Sequence, residues 1–250
     1  MSSPAAPLHR ALRAQAAMEL RLTLRQGENL LVILILPVLL LLFFASARIV
    51  PTVAGSSPAD YLVPGILTVA VMSTGMVSLG IATAYQRSYG VLKRLGGSPL
   101  PRGGLIAAKG LSVLVIEAGQ VALIGLVALW AYHWRPQGAP GLAVLVLLLG
   151  AITFAAMGLA MAGGLRAELT LAGANGLYVL FLVLGGVVLP VDHLPGFVQP
   201  LAQLLPVTAL CSTLRATLTP GAALPTGDLV LLVAWLAVAV GLAVKTFRWE

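Results

Sequence analysis

Apolar residues fill this chain in six long runs, and the polar positions are confined to the gaps between them. The runs are residues 30–47, 62–84, 105–130, 141–164, 169–189 and 229–244. Each is close to or above the ~17 residues that a helix needs to cross the hydrocarbon core of a bilayer. The pattern predicts an all-α polytopic membrane protein with six transmembrane helices. Pro37 inside the first run predicts a kink or a covering neighbour. Ala45-Ser46-Ala47 resembles a signal-peptidase site. The polar stretch ahead of that run is long for a cleaved leader, so a retained span is expected.

Residues 1–28 precede the first run, and 8–26 have helical character. At about 100° per residue, Arg10, Arg13, Arg21 and Arg25 share one arc, opposite Leu8, Ala11, Leu12, Met18 and Leu22. This predicts an amphipathic interfacial helix with its arginines toward anionic headgroups or a cytoplasmic partner. Glu19 falls inside the apolar arc and makes the amphipathicity imperfect.

The long polar interruption at 85–102, YQRSYGVLKRLGGSPLPR, carries Arg87, Lys93, Arg94 and Arg102. Its first part, 84–95, has no proline and repeats apolar residues at Tyr85, Tyr89, Leu92 and Leu95, which predicts one short helix. Gly96-Gly97 should stop it, and Ser98-Pro99 and Pro101 should form a turn. Such a helix either lies at the lipid surface or docks into a groove of a soluble partner. Residues 190–228 form the other long gap, proline-rich, with apolar pieces at 195–205 and 206–218 too short to cross. These predict two short external or re-entrant helices before the sixth span.

Composition confirms the class and charge orients it. Hydrophobic residues make up 59% and charged residues 9% of the chain, with a mean hydropathy of +1.01, which excludes an ordinary soluble domain. The net charge of +7 needs no nucleic-acid partner, because the basic residues sit at the ends of the apolar runs. Counting Lys109 near the start of the third run, the side that holds both termini, the 85–102 loop and the fourth-to-fifth turn carries twelve of the 15 Lys and Arg. Arg48, Arg135 and Arg215 lie on the other side. The positive-inside rule therefore places both termini and the 85–102 loop in the cytoplasm, and 190–228 outside. Lys109 is expected to snorkel back to the interface, and Tyr132, His133 and Trp134 to form an aromatic belt at the opposite one. Ala156, Ala160 and Gly164 form a row of small residues that would permit close helix contact.

Few residues offer chemistry. A single cysteine, Cys211, rules out an internal disulfide, and no metal cluster is expected. There is no G-x-x-x-x-G-K-[ST] cradle, no G-x-S-x-G elbow and no H-E-x-x-H pair, so catalytic residues are not expected and any nucleotide must be held by another chain. Asp192-His193 reads as a solvated loop pair. Glu117 is the ionisable residue deep within a run, at an insertion cost of about 2.5 to 3.5 kcal/mol, so it should face the bundle or a cavity, with Gln120 as a polar neighbour. It is either a contact in a transport pathway or a carboxyl joining two helices.

At this point the chain resembles a family, the ABC-2 type transporter permeases, membrane subunits of ATP-driven exporters. The likeness covers the amphipathic leader, six spans, a basic second-to-third loop and two short external helices. Its most specific part is Gln86, Arg87, Ser88, Tyr89, Gly90, Val91, Leu92, Lys93, Arg94 and Leu95 followed by Ser98-Pro99-Leu100-Pro101-Arg102. It departs from the family pattern at Gln86, where Glu is usual. Pro190, Leu194-Pro195 and Pro206 are similar to the family's external stretch. The resemblance implies that residues 85–95 form a coupling helix on a partner ATPase, present in two copies and carrying ATP and Mg. Tyr89 and Leu92 would be apolar anchors, with Arg87, Lys93 and Arg94 on the rim. It also implies a bacterial plasma-membrane location and a second permease chain, identical or different. The pathway between the two chains would be lined by the first, second and fifth spans.

Within those spans Phe43, Phe44, Ser73, Thr74, Ser78 and Asn175 are the candidate path residues, and the walls at 31–44, 67–83 and 175–188 are almost wholly apolar. Such a path suits a lipid or lipophilic drug, with the arms around Pro195 and Pro206 as an external gate. The competing reading is a secondary transporter coupled to protons through Glu117, and a further one is an intramembrane lipid enzyme. The latter would need clustered Asp, His or Ser at a membrane face.

Overall fold

A computed structural model describes residues 8–47, 57–96 and 101–247. The turn expected at Gly97, Ser98 and Pro99, the loop at 48–56, and Arg248 and Glu250 lie outside the described residues. The elements are helices throughout: α1 (Leu8–Arg25), α2 (Gly27–Ala47), α3 (Pro58–Met72), a π-helical turn (Ser73–Ser78), α4 (Leu79–Ser88), α5 (Val91–Gly96), α6 (Arg102–Tyr132), α7 (Pro140–Gly164), α8 (Ala167–Leu184), a 3-10 turn (Val191–His193), α9 (Gln199–Gln203), α10 (Pro206–Leu218) and α11 (Thr226–Thr246). Six helical stretches are long and apolar enough to cross a membrane: Leu30–Ala47, Pro58–Ser88, Gly103–Tyr132, Pro140–Gly164, Ala167–Leu184 and Thr226–Thr246.

The second span is the centre of the bundle. Ser57 caps it, its hydroxyl accepting from the Asp60 N–H while the Asp60 carboxylate accepts from the Ser57 N–H at 2.8 Å, and Pro58 follows in the first turn. From Leu62 to Met72 every residue is buried, as expected of a helix that is apolar on all sides. Below it the helix widens, and the Leu79 N–H donates to the Thr74 carbonyl five residues back. Gly75 and Gly80 there press against α7. A Cβ on Gly75 would lie 2.8 Å from the Ala155 nitrogen, and one on Gly158 2.6 Å from the Gly75 carbonyl oxygen. One close helix contact thus runs through Gly75, Gly80 and Gly158, and the expected row of Ala156, Ala160 and Gly164 makes another with α11, where the Thr246 hydroxyl donates to the Ala160 carbonyl at 3.1 Å. A second close approach puts Gly163 against the backbone of Thr246, joining α7 to α11.

Several expectations are corrected. The fifth span ends at Leu184 and not at 189, because Gly185 abuts Val207 and Gly186 takes a φ of 66°. Residues 185–189 then lie across α3, where Gly65 has no side chain to obstruct Val187. Arg215 fixes this crossing, donating to the carbonyls of Tyr61 and Val187 with its guanidinium 3.6 Å above the Tyr61 ring. The external segment carries the two short helices expected before the sixth span, α9 and α10. Helix α10 is packed into the bundle with Pro206 buried, whereas α9 is one short turn and Pro195 is exposed. The expected aromatic belt is broken too: His133 adopts a φ of 54° and turns Trp134 back into the core. Lys109 does not snorkel; it is buried.

Candidate functional site

Lys109 and Glu19, the two residues that fit their sequence patterns worst, explain each other. The Lys109 ammonium donates to Glu19 Oε1 at 2.9 Å and to Gln86 Oε1 at 2.6 Å, and Gln15 donates to the same Glu19 oxygen at 3.0 Å. One buried cation thus ties α1, α6 and the end of α4 together. This is why Glu19 sits on the apolar face of α1: that face packs against α6, and the carboxylate meets the ammonium there. Gln86, where the family usually has Glu, thus has its carbonyl oxygen engaged inside the chain. Arg87 is likewise turned inward, its guanidinium donating to the carbonyls of Gly163 and Leu165 at the end of α7. These contacts gather α1, the end of α4, the α7–α8 turn and the end of α11 at one end of the bundle, the basic end.

The segment that follows is a bend and not the continuous helix expected over 84–95. Tyr85–Ser88 extends α4, Gly90 takes a φ of 71°, and α5 begins at Val91. A left-handed φ is cheap only for glycine, so Gly90 sets the break. The break also divides the expected anchors. Tyr89 is 74% and Val91 40% exposed, whereas Leu92 is 1% exposed, seated between Leu105, Leu159 and Phe247 in a secondary apolar cluster. Leu95 packs at the edge of that cluster, and Lys93 and Arg94 are on the surface. Leu92 is therefore an anchor within this chain.

A groove of about 640 Å³ runs up from the bend between α2, the π turn with α4, and α8. Ser73, Ser78 and Asn175 line it as expected, joined by Gln86 of the 85–95 stretch and by Gln26 and Tyr178, which the sequence pattern did not single out. Val32, Ile33, Leu36, Val77 and Ile81 supply much of its apolar wall, and Tyr85, Tyr89 and Val91 close its basic end. Two groups of expected path residues lie elsewhere. Thr74 points to the other side of the π turn and donates to Gln120 Oε1 at 2.7 Å. Phe43 and Phe44 pack edge to face on each other, with centroids 5.3 Å apart, outside the groove. Within the groove the Asn175 amide donates back to the Leu171 carbonyl at 2.9 Å.

Gln120 also donates to the Ile33 carbonyl at 2.9 Å, so it links α6 to α2 and to the π turn. It is not the partner of Glu117. That carboxyl is buried, and its Oε1 meets no hydrogen-bond partner among the described residues. Glu117 does not line the groove.

Comparison with known proteins places the chain in a family. A protein of Bacillus subtilis (strain 168) named "Putative transport permease YvfS" is 29% identical over 206 residues, covering 78% of this chain and 80% of that protein. The family model described as ABC-2 type transporter matches residues 10–219, a stretch that runs from α1 through the groove and the bend to the end of α10. The chain belongs to the ABC-2 type transporter family.

Proposed function

We propose that this chain is one half of an ATP-driven exporter, a permease without a nucleotide site of its own that moves a lipid or lipophilic drug outward through the groove between α2, the π turn and α8. One observation carries this reading. Tyr89 and Val91 belong at once to the exposed bend and to the basic end of the groove, so a push on the bend acts directly on the groove wall. The basic end faces the cytoplasm by the positive-inside rule, which brings the bend within reach of an ABC ATPase pair carrying ATP and Mg. Tyr89 and Val91 are the apolar anchors for it, with Lys93 and Arg94 beside them; Leu92 transmits the push inward to the secondary cluster. A second permease chain, identical or different, covers the open groove and completes the path. Its wall is mostly apolar, with Gln26, Ser73, Ser78, Gln86, Asn175 and Tyr178 as scattered uncharged polar groups, which suits a hydrophobic or amphipathic cargo. A multiply charged glycan would lose hydration there with few groups to replace it.

The test is co-expression with an ABC ATPase subunit and reconstitution of the complex. Tyr89→Ala with Val91→Ala should reduce both ATPase pull-down and transport while the chain still inserts; unchanged association overturns the coupling role. ATP hydrolysis should rise with lipids or lipophilic drugs, and a rise with soluble glycans alone overturns the cargo assignment. The unpartnered Glu117 oxygen favours a second reading, a proton-coupled pathway. Transport that persists with a hydrolysis-deficient ATPase and stops in Glu117→Gln would select it.

A further inference from the structure

A second groove, of about 530 Å³, lies between α1, α6, α7 and α11. Its walls come from matching depths of three spans. On α6 they run from Ile106 to Leu114, on α7 from Ala151 to Leu159, and on α11 from Val240 to Val244. The eight-residue steps on α6 and α7 each cover about 12 Å of helix axis. All three stretches lie near the helix ends that meet at the basic end, at the start of α6 and near the ends of α7 and α11. The groove therefore occupies one leaflet only, running from the membrane surface toward mid-depth.

Its lining is apolar apart from one group. Arg13 of α1 stands at its edge, exposed. Lys245 follows directly on the groove residue Val244 and is exposed as well. Gly110 leaves part of the α6 wall without a side chain; a Cβ there would meet nothing within 4 Å. An apolar slot one leaflet deep with cations at its surface end has the shape and charge order of a phospholipid, acyl chain below and phosphate above.

We propose that this groove is a binding site for one anionic phospholipid of the leaflet at the basic end, its acyl chain lying along Gly110, Leu114 and Ile152 and its headgroup phosphate held by Arg13. The site is separate from the transport groove, since no residue lines both. It does share a wall with the seat of the bend. Ala155, Ala156, Leu159 and Ala243 line the lipid groove and belong to the cluster that buries Leu92.

Native mass spectrometry tests this on the full chain released from nanodiscs of phosphatidylcholine and phosphatidylglycerol in equal parts. The wild type should retain one phosphatidylglycerol in preference to phosphatidylcholine. Arg13→Gln should cut that preference by about fivefold, the contribution of one arginine near a charged surface, while a lipid is still retained. Gly110→Leu projects into open space, so it should fold as the wild type does and lose the retained lipid of either kind. Equal retention of both lipids by the wild type, unchanged preference in Arg13→Gln, or full retention in Gly110→Leu would each overturn the site. A Gly110→Leu chain that keeps its lipid but changes its oligomeric state would assign the groove to a protein partner instead.

Discussion

The second span and the two spans that flank the groove between α2 and α8 are built from similar residues and end in opposite environments. In the most apolar stretch of the second span 83% of residues are buried, against 17% in the first span and 22% in the fifth. Hydrophobicity does not separate them, because lipid is as apolar as a protein core and gives no reason to bury one leucine rather than another. Backbone proximity does. Gly75, Gly80 and Gly158 let the π turn and α4 lie against α7, whereas Gly176 on α8 has open space where a Cβ would stand. The bundle thus has a closed side fixed by small residues and polar ties, and an open side left for a partner or lipid.

The sharpest way to break the closed side is to remove one partner of its buried ion pair. Lys109→Met leaves the Glu19 carboxylate buried and unpaired, at a cost of about 3 to 5 kcal/mol, and Glu19→Gln strands the Lys109 ammonium with a similar loss. The double variant should recover much of that stability, read as the midpoint of thermal unfolding in detergent. Next in size is Gly158→Leu, whose side chain meets the Gly75 and Met76 carbonyl oxygens at 2.6 and 2.8 Å from its Cβ. Overpacking of this kind costs about 1 to 3 kcal/mol, and the same assay should show a lower midpoint. Glu117→Leu has the opposite sign. It removes a buried polar oxygen that has no partner among the described residues, and should raise stability by about 1 kcal/mol. The smallest effect belongs to the open side: Gly176→Leu should shift stability by no more than about 0.5 kcal/mol. A large loss there would show that α8 is packed as tightly as α7.

The number and order of the spans were legible because each apolar run is long and bounded by charge or proline. The polar interruption at 85–102 was legible in position, and the helix expected in it was misjudged in shape. Tyr85, Tyr89, Leu92 and Leu95 do recur at helical spacing, but Gly90 turns the chain between them, so Tyr89 and Leu92 face different ways. The residues expected to line a path divide for a similar reason. Ser73, Thr74 and Ser78 look equivalent in an apolar run, yet the π turn sends Thr74 to Gln120 and leaves Ser73 and Ser78 on the groove. The Glu19–Lys109 pair spans 90 residues and no local pattern could join them. Its trace was visible in each half: an acidic residue on an apolar arc, and a lysine inside a span.

The π turn also works as a phase shifter. An α-helix advances about 100° per residue, so a single extra residue in one turn rotates everything beyond it by about that angle relative to the part before. Gly80 meets Gly158, Gln86 reaches Lys109 and Arg87 reaches the end of α7 only in the rotated frame. Taking one residue out of 73–78 would restore the ordinary winding and leave the hydropathy of the span almost unchanged. It would nevertheless carry all three of those contacts about a quarter-turn away from their partners, so this span is intolerant of deletion even where the residue removed is apolar.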